Sequence, residues 1–256
     1  MISIDLSGRK ALITGGSRGI GAGISRVISK CGANVAFTYR SNEKAAKMLE
    51  EELNSSGVLS LGIKANATSA EEMRKAVQIC ADKLGNLDLL AINVGMNEDA
   101  SIDSLSYEHW KEGIDLNLNS VYLAIKNAIS YLRSAERGDI FLIGSSGVYD
   151  GGGGTPYYAA AKAGMIGLMR YMMRELPQDN IRINTIHPCV VDTDLLRSRY
   201  NTEEKIEKLK SQVPLGRLSI PEDIGNMVAF ISSDLGGFIT GQSILIDGGR
   251  TFWKKT

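Results

Sequence analysis

The 256-residue chain is 43% hydrophobic and 23% charged, and its 29 basic residues are matched by 29 acidic ones, for a formal net charge of zero. Balanced charge excludes the basic footprint of a nucleic-acid-binding domain, and no apolar run approaches the ~20 residues that cross a bilayer. Cys31, Cys80 and Cys189 lie far apart and His109 and His187 lack ligand spacing, so buried or incidental thiols are expected and a metal site is not.

The opening MISIDLSGRK has no charged head followed by a long apolar stretch, so no secretory signal is expected and a cytoplasmic location is the reading. Short apolar runs then alternate with longer helical patterns. KALIT (10–14), NVAFTY (34–39), LSLGI (59–63), LDLLAI (87–92), DIFLIG (139–144), IRINTI (181–186) and SILI (243–246) read as strands. Several are apolar at consecutive positions, as strands covered on both faces are. Between them, SAEEMRKAVQICADKLG opens on a serine cap and closes on glycine, and IPEDIGNMVAFISS places proline at a helix start. The alternation predicts an α/β fold: one doubly wound Rossmann-type domain over 1–256, with about seven parallel strands and helices on both faces.

The first strand runs into ALITGGSRGIGAGISRVIS, with Gly15, Gly19 and Gly21 opening a helix. Glycines here let the backbone approach a pyrophosphate, and the helix start offers unpaired N–H groups and positive partial charge. Gly15, Ser17, Arg18, Gly19, Ile20 and Gly21 are the expected cradle of a dinucleotide. The second strand ends in Arg40 and Ser41, with no acid until Glu43. An acid there would hold a ribose 2′-hydroxyl, whereas arginine accommodates a 2′-phosphate. Arg18 adds a second guanidinium, so NADP(H) is expected over NAD(H).

In GGGGTPYYAAAKAG (151–164), Tyr158 and Lys162 stand four apart and share a helix face, while Tyr157 has Ala161 at that offset. A free phenol holds its proton too tightly to react near neutrality. A neighbouring ammonium favours the phenolate, so Tyr158 is expected to have its pKa lowered by Lys162 and to act as a general acid/base.

With TGxxxGxG at the first turn, Ser145 directly after the fifth strand, and then Tyr158 and Lys162, the chain resembles the short-chain dehydrogenase/reductase family. GIDLNLNSVY, INTIHPCVVDTD, PLGRLSIPEDIGNMVAFISSD and ITGQSILIDGG extend the likeness over essentially the whole chain, and bacterial 3-oxoacyl-acyl-carrier-protein reductases are among the relatives it resembles. The resemblance implies catalytic roles for Asn117, Ser145, Tyr158 and Lys162. Tyr158 passes the proton to a ketone oxygen, Ser145 hydrogen-bonds that oxygen, Lys162 holds the nicotinamide ribose, and Asn117 holds a relay water. It also implies cofactor contacts from Asn66, Asn93, Val191 and Thr193, besides Tyr158 and Lys162.

Three departures stand out. The family's NNAG reads INVG, with Ile92 and Val94, and its adenine-side acid is Asn66. Its Pro-Gly beside the nicotinamide reads Pro188-Cys189, so Cys189 is expected either to line the site wall or to pack. The segment 193–214 matches the family's substrate lid. Leu195, Leu196, Tyr200, Ile206 and Leu209 are expected to form its apolar face, and Arg197 and Arg199 a solvated charged face with anionic substrate as the other reading. The basic docking positions of carrier-protein reductases fall on Glu136 and Asp179, with Arg133, Arg137 and Arg174 nearby.

The helix YYAAAKAGMIGLMRYMMREL is apolar on more than one stripe, so a homo-oligomer, dimer or tetramer, is expected to cover what the sheet does not. Two functions remain: an NADPH-dependent reductase of a ketone or acyl thioester, with acyl-carrier protein as a possible partner, and a dinucleotide-binding sensor without chemistry. Within the first, a 3-oxoacyl thioester stands ahead of sugars, polyols, steroids and other small ketones.

Overall fold

A computed structural model describes residues 3–253. Its centre is one parallel sheet of seven strands: β1 (Lys10–Thr14), β2 (Asn34–Tyr39), β3 (Ser60–Lys64), β4 (Leu89–Ile92), β5 (Gly138–Ile143), β6 (Ile181–Pro188) and β7 (Ser243–Ile246). Their spatial order is β3-β2-β1-β4-β5-β6-β7. The order reverses between β1 and β4, and a doubly wound sheet opens its ligand crevice at such a switch, beyond the carboxyl ends of the strands.

Among the described residues, ten α-helices connect the strands: α1 (Gly19–Lys30), α2 (Glu43–Asn54), α3 (Ala70–Leu84), α4 (Tyr107–Ile114), α5 (Ser120–Ser134), α6 (Gly147–Asp150), α7 (Pro156–Met172), α8 (Asp194–Arg199), α9 (Glu203–Lys210) and α10 (Pro221–Ser232). Caps set several boundaries. Ser69 Oγ accepts from Glu72 N–H at 3.3 Å, and α3 ends on Gly85 at φ 83°. At α10, Asp223 Oδ2 accepts from Ile220 N–H at 2.9 Å just before Pro221.

The sheet divides the core in two. One side packs Met73, Val77, Val121, Ile125, Met165 and Met169, from α3, α5 and α7, on Leu12, Leu90 and Leu142. The other packs Ile24, Ile28, Leu49, Ile224 and Val228, from α1, α2 and α10, on Ile13, Phe37 and Phe141. Full burial of each such side chain contributes on the order of 1.5–3 kcal/mol. Both faces of the strands are covered, which is why they read as continuous apolar runs.

Candidate active site

At the head of α1, a Cβ on Gly21 would stand 2.5 Å from the Gly15 carbonyl oxygen and 2.8 Å from Asn93 Nδ2. The turn therefore closes on itself without side chains. Asn93, just past β4, donates from Nδ2 to the Gly15 carbonyl at 3.1 Å. Val94, larger than the expected alanine, fits because Gly15 opposite it has no Cβ; one there would lie 3.0 Å from the valine methyl. Gly16 N–H donates to Thr38 O at 2.9 Å, and Gly15 N–H to Thr38 Oγ1 at 3.1 Å, so the end of β2 is held against the turn. Arg40 follows two residues later. Arg18 and Arg40 are both exposed, and neither has a carboxylate partner among the described residues. Thr193 begins α8, accepting from Leu196 N–H at 3.3 Å, and its methyl would lie 3.5 Å from a Cβ on Gly19. Val191 is buried beside it. Asn66 follows β3 and accepts from Thr68 Oγ1 at 3.0 Å. A tight glycine turn, a helix N-terminus and two unpaired guanidiniums fit a phosphorylated dinucleotide.

The second cluster lies across the same crevice. Asn117 sits in a π-helical turn, Asp115–Asn119, between α4 and α5. Such a turn interrupts the ordinary ladder, and Asn117 Nδ2 donates to the Gly113 carbonyl at 2.9 Å. Its Oδ1 accepts from Met96 N–H at 3.2 Å. A Cβ on Gly95 would lie 2.7 Å from Asn117 Oδ1 and 3.4 Å from Lys162 Nζ, so Gly95 leaves room for both groups. Lys162, on α7, is buried and donates from Nζ to the Ile143 carbonyl at 2.9 Å. Burial pulls its pKa down to about 8.

Tyr158 is half-buried, whereas Tyr157 is fully buried and packs against Gly113 and His109. Two neighbouring tyrosines on one helix therefore have different surroundings. The expected electrostatics of Tyr158 need correction. Burial raises its pKa above that of a free phenol, and the opposing contributions come from the Ser145 hydroxyl and the Arg199 guanidinium. Lys162 stands 5.5 Å from the ring centre with its ammonium committed to Ile143.

Three segments close over Tyr158. Gly153, at φ 118°, lies so close that a Cβ would stand 2.4 Å from Tyr158 Cδ1. A side chain there would be both strained and obstructed. Ala100 N–H donates to the Gly154 carbonyl at 3.0 Å, joining the loop after β4 to the glycine run. From the lid, Arg199 Nη2 donates to the Asn97 carbonyl at 2.9 Å and approaches Asp99 Oδ1 at 3.6 Å.

The lid's apolar residues divide. Leu196, Ile206 and Leu209 pack with Val190 and Leu218, while Leu195 and Tyr200 are exposed. Arg197 pairs with Asp192 at 2.6 Å as a charged surface group, whereas Arg199, expected on the same solvated face, bonds to the Asn97 carbonyl and acts on the Tyr158 pKa. Cys189 accepts from Arg250 Nη1 at 3.3 Å, a contact across 61 residues with no local sequence signature. His187 was not singled out from sequence either, yet both its ring nitrogens are engaged beside Ser145.

The fold and this crevice define the class: a Rossmann-type oxidoreductase. The family description Enoyl-(Acyl carrier protein) reductase matches residues 15–251. The chain is 33% identical over 248 residues to the 3-oxoacyl-(acyl-carrier-protein) reductase FabG of Aquifex aeolicus, covering 97% of this chain and 99% of that one. A dehydrogenase/reductase from Sinorhizobium meliloti superposes with a TM-score of 0.90 at 32% identity, covering 97% of each chain. A short-chain dehydrogenase from Burkholderia cenocepacia, solved in complex with NADP, gives 0.88 at 31% identity, covering 96% of this chain and 98% of that one. This chain belongs to the short-chain dehydrogenase/reductase family.

Proposed function

We propose that the chain, as one catalytic domain over 1–256, is an NADPH-dependent reductase of a ketone, with a 3-oxoacyl thioester as the first substrate class. The observation that carries this reading is the placement of Lys162 Nζ 5.5 Å from the Tyr158 ring centre, with Asn117 sharing the space that Gly95 leaves and with the Ser145 hydroxyl and Arg199 guanidinium opposing the rise in the Tyr158 pKa. The bound dinucleotide supplies hydride. Gly15, Ser17, Arg18, Gly19, Ile20 and Gly21 hold its phosphates, Arg40 and Ser41 its 2′-phosphate, and Asn66, Asn93, Val191 and Thr193 its remaining parts. Tyr158 gives its proton to the carbonyl oxygen, and Ser145 hydrogen-bonds that oxygen as charge develops. Lys162 holds the ribose, and Asn117 orders a water that returns a proton.

NADP bound in a solved relative and the identity of curated relatives as 3-oxoacyl-(acyl-carrier-protein) reductases support the cofactor and the substrate class. One observation favours a second reading, a free small ketone. Arg133 is occupied by Asp179 at 2.7 Å, and Glu136 and Asp179 stand where the family's carrier-docking cations would be. An acetoacetyl group offered on carrier protein, on a short thiol and beside sugar and cyclic ketones separates the two readings by loss of NADPH absorbance. Tyr158→Phe should abolish turnover and leave NADPH binding intact; full activity in that variant excludes the mechanism, and wild-type protein that binds NADPH but reduces no carbonyl favours the sensor.

A homo-oligomer, dimer or tetramer, is part of the proposal. Met165 and Met169 of α7 are buried, while Tyr171 on α7 and Tyr122 on α5 remain exposed. The edge strand β7 has exposed Leu215, Phe230, Phe238 and Phe252 in its neighbourhood. A second copy is the cover such surfaces need. Light scattering at micromolar concentration tests it, and a monomer excludes it.

A further inference from the structure

Ser145 is the second residue beyond β5, and its neighbours on both sides are tied to β6. Gly144 N–H donates to the Ile186 carbonyl at 2.7 Å, and Ser146 N–H to the Pro188 carbonyl at 2.8 Å. Between them, the Ser145 N–H finds no main-chain acceptor among the described residues. The acceptor it does find is a side chain: His187 Nδ1, at 3.2 Å.

His187 is fully buried. Its Nδ1 also lies 3.1 Å from the Ser145 carbonyl, which already accepts from Val148 N–H at 3.3 Å. With Val148 N–H already on that carbonyl and no other acceptor for the Ser145 N–H among the described residues, Nδ1 serves as the acceptor. The ring proton then sits on Nε2, which has two hydroxyl oxygens in reach, Thr185 Oγ1 at 2.8 Å and Ser243 Oγ at 2.9 Å. Ser243 Oγ continues to the Tyr149 hydroxyl at 2.9 Å, and the Tyr149 ring stands edge-on to His187. Burial pushes the His187 pKa down to about 4, outweighing the Ser145 main-chain contact that raises it and helped by the Lys162 ammonium, so the ring is neutral. Gly144 leaves the space: a Cβ there would stand 2.4 Å from Nδ1.

We infer that His187 is a positioning residue, its imidazole holding the Ser145 main chain and thereby aiming the Ser145 hydroxyl at the reacting carbonyl oxygen. The inference rests on the proposed reduction and adds to it a residue that touches neither substrate nor cofactor. Alternate residues of a parallel strand donate to the same neighbour, so Gly144 and Ser146 bond to β6 and the Ser145 N–H between them is met by the imidazole. Without it, Ser145 keeps only the bonds from Val148 N–H to its carbonyl at 3.3 Å and from Gly147 N–H to its hydroxyl at 3.2 Å, and its own N–H loses its acceptor.

His187→Leu removes both ring nitrogens, while His187→Asn keeps an acceptor where Nδ1 stands. With an acetoacetyl thioester and NADPH, His187→Leu should lower kcat about 10- to 100-fold, the scale of a misplaced catalytic group, with KM for NADPH changed less than about twofold. His187→Asn should restore most of kcat. In a Ser145→Ala background, His187→Leu should cost little more, because no hydroxyl is left to aim. Equal losses from His187→Leu with and without Ser145, or a His187→Asn variant as slow as His187→Leu, overturn the inference. Nitrogen-15 NMR of the wild-type imidazole provides a reading independent of turnover. A proton on Nε2 is expected, and a proton on Nδ1 overturns the inference. Should the wild-type protein reduce no carbonyl, the proposed reduction falls on that result alone, while the tautomer still decides whether His187 accepts from Ser145.

Discussion

Lys162 donates its ammonium to the Ile143 carbonyl at 2.9 Å while standing 5.5 Å from the centre of the Tyr158 ring. Burial raises the Tyr158 pKa and draws that of Lys162 down to about 8. The phenol thus keeps its proton near neutrality, the form needed to protonate a ketone oxygen. The ammonium is the group that titrates first as pH rises.

Ketone reduction is therefore expected to hold across neutral pH and decline as pH rises through about 8, where Lys162 loses its proton. The profile of kcat/KM against pH checks this. The residual activity of Lys162→Arg should lose that alkaline limb because guanidinium stays charged. An unchanged limb assigns the titration to another group.

Arg40 is exposed at the end of β2 and, among the described residues, has no ion-pair partner. Arg40→Asp should lower kcat/KM for NADPH by about 10- to 100-fold and improve that for NADH, because a carboxylate repels a 2′-phosphate and accepts from a 2′-hydroxyl. Parallel kinetics with both cofactors measure the ratio. An unaltered ratio would remove Arg40 from cofactor selection.

Arg199 joins the lid to the loop after β4 through the Asn97 carbonyl at 2.9 Å. Arg199→Ala should loosen that closure and remove a positive charge near Tyr158. The expected outcome is a raised substrate KM and faster amide exchange in 194–200, with fold stability changed by less than about 0.5–1 kcal/mol because the bond is partly exposed. Hydrogen-exchange mass spectrometry with steady-state kinetics tests both parts; unchanged exchange means that the lid is held by Ile206 and Leu209 alone.

At the opposite edge of the sheet, Asp139 is buried between Arg9 Nη2 and Arg182 Nη2, each at 2.7 Å. Asp139→Ala would leave two guanidiniums largely buried without their shared carboxylate. A loss of roughly 3–5 kcal/mol of stability is expected. Urea unfolding measures it, and since the strands' amino ends lie far from the crevice, activity of the folded fraction should persist. A midpoint within error of wild type would mean that Asp88, 2.7 Å from Arg9 Nε, suffices.

The fold was legible because its rules are local. KALIT, NVAFTY and SILI coincide with β1, β2 and β7. Strand ends elsewhere move by one or two residues because pairing sets them: β6 runs on to Pro188, whose carbonyl accepts from Ser146. The positions of Tyr158 and Lys162 on one helix followed from their spacing. Their electrostatics did not, because desolvation depends on what the rest of the chain places over them. Arg199 reaches the site from 41 positions beyond Tyr158, and its partner Asn97 lies 102 positions away from it.

The sequence by itself determined the alternation of strands and helices, the glycine turn at the first helix and that Tyr158, not Tyr157, shares a helix face with Lys162. Each depends on spacing of a few residues, which backbone geometry turns into direction. Only the tertiary structure decided that Gly153 lies against Tyr158, that Arg199 bonds to Asn97, that Lys162 is committed to Ile143 and that the Ser145 N–H meets His187 Nδ1. Those relationships join groups on separate elements, and their strength depends on distance and burial, quantities that exist only after the chain has packed.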